Sequence, residues 1–367
     1  MPPLLVPVSI SVPDGLGGGI SNWEEINPSA TIRDPIVGAG FIRPISLDQW
    51  YLFCGGSPQK GGITDRQIEE RRKMTEQLHL VDLETCLGDG ICADVCPENC
   101  LEMNDEKAAT VEDRADHCIL CGQCVAVCPT ESLQMPELPA EDFRDLAKLP
   151  FGYVEFLDLL KLRRSVRVFK DKPVERELIE KILEAASTAP MGMPPHSTEV
   201  VVIDEREELD ILLEELVKDY SSMVKAFSNP IGRAIVRLSA GAEDFAVLKD
   251  YIVDLARYAN EAYHRDGTDR YMYKAPVVML FHGNRWAMSY EENAHLICNY
   301  AMLAAVSLGL GNTIIGLIPP IVDRSKVLRE RYGIPKENKV CTSLILGYPK
   351  YRFKKSIHRD LADVQYH

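Results

Sequence analysis

Eight of the eleven cysteines fall between Cys86 and Cys128, and their spacing carries the clearest chemistry in the chain. Cys118-Ile-Leu-Cys121-Gly-Gln-Cys124-Val-Ala-Val-Cys128-Pro129 is a C-x2-C-x2-C-x3-C-P run. At this spacing three thiolates wrap one iron–sulfur cubane while the fourth turns away to serve another cluster. The short spacers let the backbone curl round the cluster, so that amide N–H groups reach its sulfides. Zinc would be held differently, by paired C-x2-C knuckles set farther apart.

Upstream lies Cys86-Leu-Gly-Asp89-Gly-Ile-Cys92-Ala-Asp-Val-Cys96-Pro97-Glu-Asn-Cys100. Aligned on Cys96-Pro97, it repeats the same motif with Asp89 at the second ligand position. The block resembles the bacterial two-cluster ferredoxins, small pseudo-symmetric βαβ–βαβ folds. That resemblance implies that Cys96, Cys118, Cys121 and Cys124 hold one [4Fe-4S] cluster, and that Cys86, Cys92 and Cys128 hold the other. Asp89 sets a hard oxygen against an iron otherwise bound by sulfide, so that iron is held more weakly. Three outcomes are open: an Asp-ligated four-iron cluster, a [3Fe-4S] cluster, or capture of Cys100 by local rearrangement. We expect Asp89 as the ligand, with Cys100 a bystander thiol packed beside the cluster.

A second constellation begins at Arg163-Arg164-Ser165-Val166-Arg167-Val168-Phe169, followed by Lys172-Pro173-Val174. Forked guanidinium donors so close together suit a phosphate. Alone, a basic cluster is more often a solvated face. Further segments follow in order, however: Ala186 to His196, Glu292-Asn293-Ala294, Leu303 to Gly311, Ile315-Gly316, Gly347-Tyr348-Pro349, and a basic tail ending at Arg359. Together they resemble the nitroreductase family of FMN enzymes.

The resemblance implies FMN bound by Arg163, Arg164, Ser165 and Arg167, by Pro190, Met191 and Gly192, by Ile315 and Gly316, and by Lys355 and Arg359. It also implies an intertwined homodimer with the flavin at its interface. Pro194 and His196 stand where many members carry Asn and Gln, so flavin contacts in that loop rest on the backbone around Met191 and Gly192. His196 is the candidate proton donor to substrate, since imidazole titrates near neutral pH. The plainer reading is a histidine hydrogen-bonded at the loop surface.

Positioning these groups takes more than one domain, and 367 residues allow two plus an extension. Residues 1–79 are rich in Pro and Gly and hold Trp23 and Trp50, the texture of an irregular arm. Near Gly15 a dinucleotide loop is excluded, because Ile20 occupies the third glycine position. Residues 80–137 form the cluster block, a linker with Pro136, Pro139 and Pro150 follows, and 151–367 is the flavin domain. Within it an amphipathic helix is expected from Glu175 to Ala186, with strands at Glu199–Ile203, Pro276–Phe281 and Lys339–Leu346. Asn293–Leu308 is apolar on nearly every side and predicts a central helix buried all round. The fold class is therefore α+β: a nitroreductase-like FMN fold preceded by a ferredoxin-like two-cluster module and the irregular arm.

Composition narrows the partners. The net charge is −14, which repels phosphate backbones and excludes nucleic acid. No apolar run reaches the roughly 20 residues of a spanning helix. The start, Met1 to Ile10, lacks a basic leader and contains Pro2, Pro3 and Pro7, unlike a signal peptide. A soluble, cytoplasmic protein is expected, its clustered thiols suited to a reducing compartment. From Val81 to Leu138 there are 13 acidic residues against two basic ones, Lys107 and Arg114. This is either a solvated acidic face or a docking surface for a basic electron-donor protein.

Clusters pass single electrons, whereas FMN accepts them singly and delivers them in pairs. The implied route runs from a donor through both clusters to FMN, then to a small electrophile such as a nitro, quinone-like or activated-alkene compound. The alternative is an electron-transfer adaptor whose flavin serves a partner protein. The long stretch from Glu207 to Tyr271 bears on the choice, because it either closes a pocket or leaves the flavin face open.

Overall fold

The computed structural model describes residues 78–193 and 197–367. The arm, with its Gly15 region, lies outside the described residues up to position 77, as do Pro194, Pro195 and the candidate proton donor His196.

The cluster block runs β1 (Leu80–Val81), α1 (Ile91–Asp94), β2 (Leu101–Asn104), β3 (Lys107–Thr110), a 3-10 segment (Glu112–His117), α2 (Gln123–Ala126) and β4 (Leu133–Gln134). β1 pairs antiparallel with β4, and β2 with β3, so two βαβ halves close on each other. Each four-residue helix starts from a glycine in the left-handed region, Gly90 at φ 76° and Gly122 at φ 70°. A side chain would be strained there. The core is small: Leu101, Ala108, Leu133 and Met135 pack with the thiols of Cys92 and Cys124. A module of this size buries only about 60% of its chain surface.

Beyond the linker come α3 (Tyr153–Leu162), α4 (Arg176–Ser187), β5 (Thr198–Ile203), α5 (Arg206–Phe227), α6 (Pro230–Val247) and α7 (Val253–Asp266). Then follow β6 (Val277–Asn284), α8 (Tyr290–Ser307), β7 (Gly311–Ile314), α9 (Pro319–Arg324), α10 (Lys326–Arg331) and β8 (Asn338–Gly347). The sheet order is β5-β6-β8-β7, antiparallel at every pair. β6 explains the architecture. Val277, Met279 and Phe281 face α4 and α8, whereas Val278 and Leu280 face Leu209, Leu212 and Leu216 of α5. Side chains alternate across a strand, so a continuous apolar run is buried from both sides only when helices cover both faces.

The amphipathic helix and the three expected strands are present, each within a few residues of the expected limits. Two features differ. α8 buries only one face, through Asn293, Ala294, Ile297, Cys298, Ala301, Met302 and Ala305. Its outer face shows Leu296 and Tyr300, 40% and 37% exposed. β7 was not anticipated as a strand, since polar Asn312 and Thr313 hide its pairing with β8.

Candidate functional site

The cysteine motifs fold into two cavities of nearly equal size. Cys86, Asp89, Cys92 and Cys128 line the first, about 310 Å³, together with Val81, Ala108, Ser132 and Leu133. Cys96, Cys118, Cys121 and Cys124 line the second, about 300 Å³, with His79, Cys100 and Met135. Among the described residues no three His, Cys, Asp or Glu side chains converge as a single-ion site. The thiols stand apart on the walls of each space.

The halves superpose residue for residue in role. Asp89 precedes left-handed Gly90 as Cys121 precedes left-handed Gly122. Asp89 Oδ1 accepts from Ile91 N at 3.2 Å, which turns the carboxylate into the loop at the cavity wall. Four residues after the Cys-Pro cysteine, the half with Asp89 carries Cys100 and the half with Cys121 carries Ser132. Ser132 Oγ lies 3.3 Å from Cys128 Sγ, and Cys100 N donates to Cys96 Sγ at 3.2 Å. Cys100 is fully buried at the second cavity, while Asp89 lines the first.

These surroundings tune the thiols. Cys118 is held low, at about 5, first by a hydrogen bond shared with Cys100 and then by His79, against the effect of burial. Cys100 is pushed up by the same shared bond and by burial. Burial raises the Cys128 thiol, but bonds from Ser132 and Thr130 outweigh it and bring it to about 7. Cys124 lies at about 12 through burial. The hydrogen bonds from these neighbours favour the thiolate form of Cys118 and Cys128. His79 was not singled out from the sequence. It sits just ahead of β1, with Nδ1 3.1 Å from Thr110 Oγ1, and nothing in the local sequence announces that contact.

The arginine segment is fixed by backbone. Val166 N donates to Asn312 O at 2.9 Å, and Ser165 bridges to Asn312 in parallel. Val166 packs onto Gly311, where a Cβ would stand only 2.7 Å from Val166 Cγ2. Arg163 ends α3, Arg164 lies over the Phe353 ring at 5.8 Å, and Arg167 lies over Tyr273 at 5.8 Å. Among the described residues none of these three guanidiniums is paired with a carboxylate. Elsewhere the chain pairs Arg176 with Asp204, Arg257 with Asp254, Arg324 with Asp219, Arg329 with Asp323 and Arg331 with Glu208. Three arginines within five residues form a donor set suited to an anion.

Ile315 and Gly316 follow β7 directly, with Ile315 N bonded to Ser343 O at 3.1 Å and Ser343 Oγ to Ile315 O at 2.7 Å. The loop at Pro190, Met191 and Gly192 is tied to the start of α8. Buried Asn293 accepts from Gly192 N through Oδ1 at 2.9 Å and donates to Met288 O at 3.2 Å. Met288 N in turn donates to Met193 O at 2.8 Å. Lys355 and Arg359 lie in the exposed tail after β8, whose start runs beside the arginine segment through Lys350 N to Val168 O at 3.0 Å and Phe353 under Arg164 at 5.8 Å. The stretch from Glu207 to Tyr271 becomes three helices. α5 and α7 pack into the core, whereas α6 buries none of its residues and exposes Ile231, Ile235 and Leu238.

Residues 160–348 match the sequence model of the Nitroreductase family, and residues 65–132 match that of the 4Fe-4S dicluster domain. A protein of Archaeoglobus fulgidus named NADH dehydrogenase/NAD(P)H nitroreductase is 29% identical over 196 residues, spanning 53% of this chain and 86% of the relative. A protein of the same name from Methanothermobacter thermautotrophicus is 26% identical over 196 residues, spanning 53% and 78%. Among solved structures, an FMN-bound nitroreductase from Desulfitobacterium hafniense matches with a TM-score of 0.42 and 24% identity, covering 58% of this chain and 98% of that one. No helix among the described residues is long and apolar enough to cross a membrane.

Proposed function

The chain belongs to the nitroreductase family through residues 160–348, with a 4Fe-4S dicluster domain ahead of it, and on that premise we propose an iron–sulfur flavoprotein oxidoreductase that reduces a small electrophile. The acceptor class is nitro, quinone-like or activated-alkene. When bound, the two clusters supply one-electron chemistry and FMN supplies two-electron chemistry. The pair of matched thiol-walled cavities carries the reading, because a spread ring of thiols suits a multi-iron cluster and not a single ion.

The chain's residues divide the work. Cys96, Cys118, Cys121 and Cys124 would hold one cluster; Cys86, Asp89, Cys92 and Cys128 would hold the other. Arg163, Arg164, Ser165 and Arg167 would donate to the FMN phosphate. Asn293 holds the Met191–Gly192 backbone in place, and Ile315–Gly316 would offer main chain to the ring. Lys355 and Arg359 join only if the tail folds over the site. Domain limits follow as an arm over 1–79, a cluster module over 80–137 and a flavin domain over 151–367. The exposed apolar faces of α8 and α3, Leu296 and Tyr300 with Tyr153, Val154 and Phe156, favour a homodimer. The ten described cysteines are all free thiols, which accords with a reducing cytoplasmic setting.

Two experiments test this reading. Under anaerobic conditions the reduced protein is mixed with a nitroarene, a quinone or an activated alkene, and flavin absorbance is followed. Rapid reoxidation by one class is expected; reoxidation by none would leave the adaptor role. The second concerns the first cavity. Asp89→Cys restores a soft thiolate and should give a more oxygen-resistant four-iron cluster there. Cys100→Ser, which copies Ser132 of the other half, should leave iron content unchanged. Iron loss in Cys100→Ser beside a wild-type-like Asp89→Cys protein would refute the aspartate assignment.

A further inference from the structure

The two cavities differ in what surrounds them. Round the first, Leu83, Leu87, Ile91 and Met103 are 60%, 69%, 40% and 37% exposed. Leu87, Ile91 and Met103 form one patch: Leu87 and Asp89 line the cavity, Met103 packs against Gly90 beside Ile91, and the Glu106 carbonyl rests on Gly88. Exposed apolar groups at a cavity mouth mark a contact surface. Glu84 comes two residues before the cavity residue Cys86, and Asp105 and Glu106 form the β2–β3 turn whose Glu106 carbonyl meets Gly88; all three are exposed. Of the block's two basic residues, Lys107 Nζ donates to Cys86 O at 2.6 Å and so stands at this cavity, offsetting one of the three carboxylates, and Arg114 Nε donates to Glu98 O at 2.9 Å.

The second cavity is bordered instead by the protein's own linker. Leu138 and Phe143 pack on Gly122, where a Cβ would meet both at 3.2 Å. Cys121 itself is exposed, so the linker borders this cavity without sealing it. The next residue, Arg144, lies 3.7 Å from Glu184 on α4 of the flavin domain. An exposed pair of this kind contributes little energy, but it marks where the linker runs. One cavity thus faces outward with an apolar centre and an anionic rim, and the other adjoins the path to the flavin domain.

We propose that electrons enter at the first cavity, from a one-electron carrier protein with a positively charged rim that docks on the Leu87–Ile91–Met103 patch. This rests on the iron–sulfur reading given above. The carrier loses one electron and the cluster gains one, with no atom or proton exchanged. The second cluster is then the inner relay. Charge complementarity picks the partner: a basic rim meets Glu84, Asp105 and Glu106, and the apolar patch excludes water between the redox centres.

The test runs the exchange in reverse with a basic one-electron protein, ferricytochrome c, mixed with the dithionite-reduced full chain at low ionic strength. Iron counts and EPR first establish that clusters are present, so failure of the cluster reading is seen separately. Haem reduction should be salt-sensitive and should slow about tenfold or more in Glu84→Lys/Glu106→Lys. The control Glu112→Lys/Asp113→Lys, on the 3-10 segment away from the patch, should stay within about twofold. Carbodiimide cross-links mapped by mass spectrometry should join Glu84 or Glu106 to cytochrome lysines. Equal rates in both variants with intact EPR signals would overturn the proposal, as would cross-links confined to Glu112 and Asp113. Cross-links between two copies of this chain at the patch would assign it to self-association and overturn it as well.

Discussion

Arg163→Ala and Arg167→Ala should each release FMN while leaving the visible absorbance of the clusters in place. Each removes a forked cation proposed to donate to the FMN phosphate. A charge-assisted hydrogen bond contributes about 1.5–3 kcal/mol, which lowers affinity by roughly 10- to 150-fold. The fold should tolerate both changes. Arg163 stands at the end of α3, Arg167 is exposed, and the segment's register depends on the Val166–Asn312 backbone bond and the contact with Gly311, neither of which involves a guanidinium. Titration of apo-protein with FMN, read by quenching of flavin fluorescence, gives the affinities. Unchanged binding in both variants would place the phosphate elsewhere.

Asn293→Ala should destabilise the flavin domain and weaken FMN binding together. The buried amide serves two backbone groups from segments far apart in sequence, Gly192 N and Met288 O. Its removal leaves a donor and an acceptor without partners, at about 1–3 kcal/mol each. It also frees the Pro190–Gly192 loop from α8, since only the Met288–Met193 bond would remain of that junction. Denaturant unfolding should show a lower midpoint at unchanged slope. A variant with wild-type stability but weak FMN binding would mean that Asn293 touches the ligand and does not merely hold the loop.

What was legible in the sequence was mostly local. The cysteine spacing exposed the repeat with Asp89 aligned on Cys121, and the fold adds matching left-handed glycines at Gly90 and Gly122. Strand β6 showed as an apolar run because helices cover both of its faces. What stayed hidden depended on distant partners. His79 meets the second cavity only through the closure of β1 on β4, and Cys100 is matched with Ser132 only once both halves are folded. The periodicity of α8 told that most of its sides are apolar, but not that a single chain covers one of them. Likewise β7 is a strand because β8 lies beside it, not because Asn312 and Thr313 favour one. Asn293 appeared as part of a motif, yet its bonds to Gly192 and Met288 arise from the tertiary fold.

The central claim, two clusters and a flavin in one chain, is tested most directly by counting. Protein purified without oxygen and analysed for metals, acid-labile sulfide and extracted flavin should contain about one FMN and about seven to eight irons per chain, with sulfide in similar amount. Seven irons would accompany a three-iron cluster at the Asp89 cavity, and eight would accompany an Asp-ligated four-iron cluster there. Iron near one per chain, or stoichiometric zinc in place of iron and sulfide, would contradict the account.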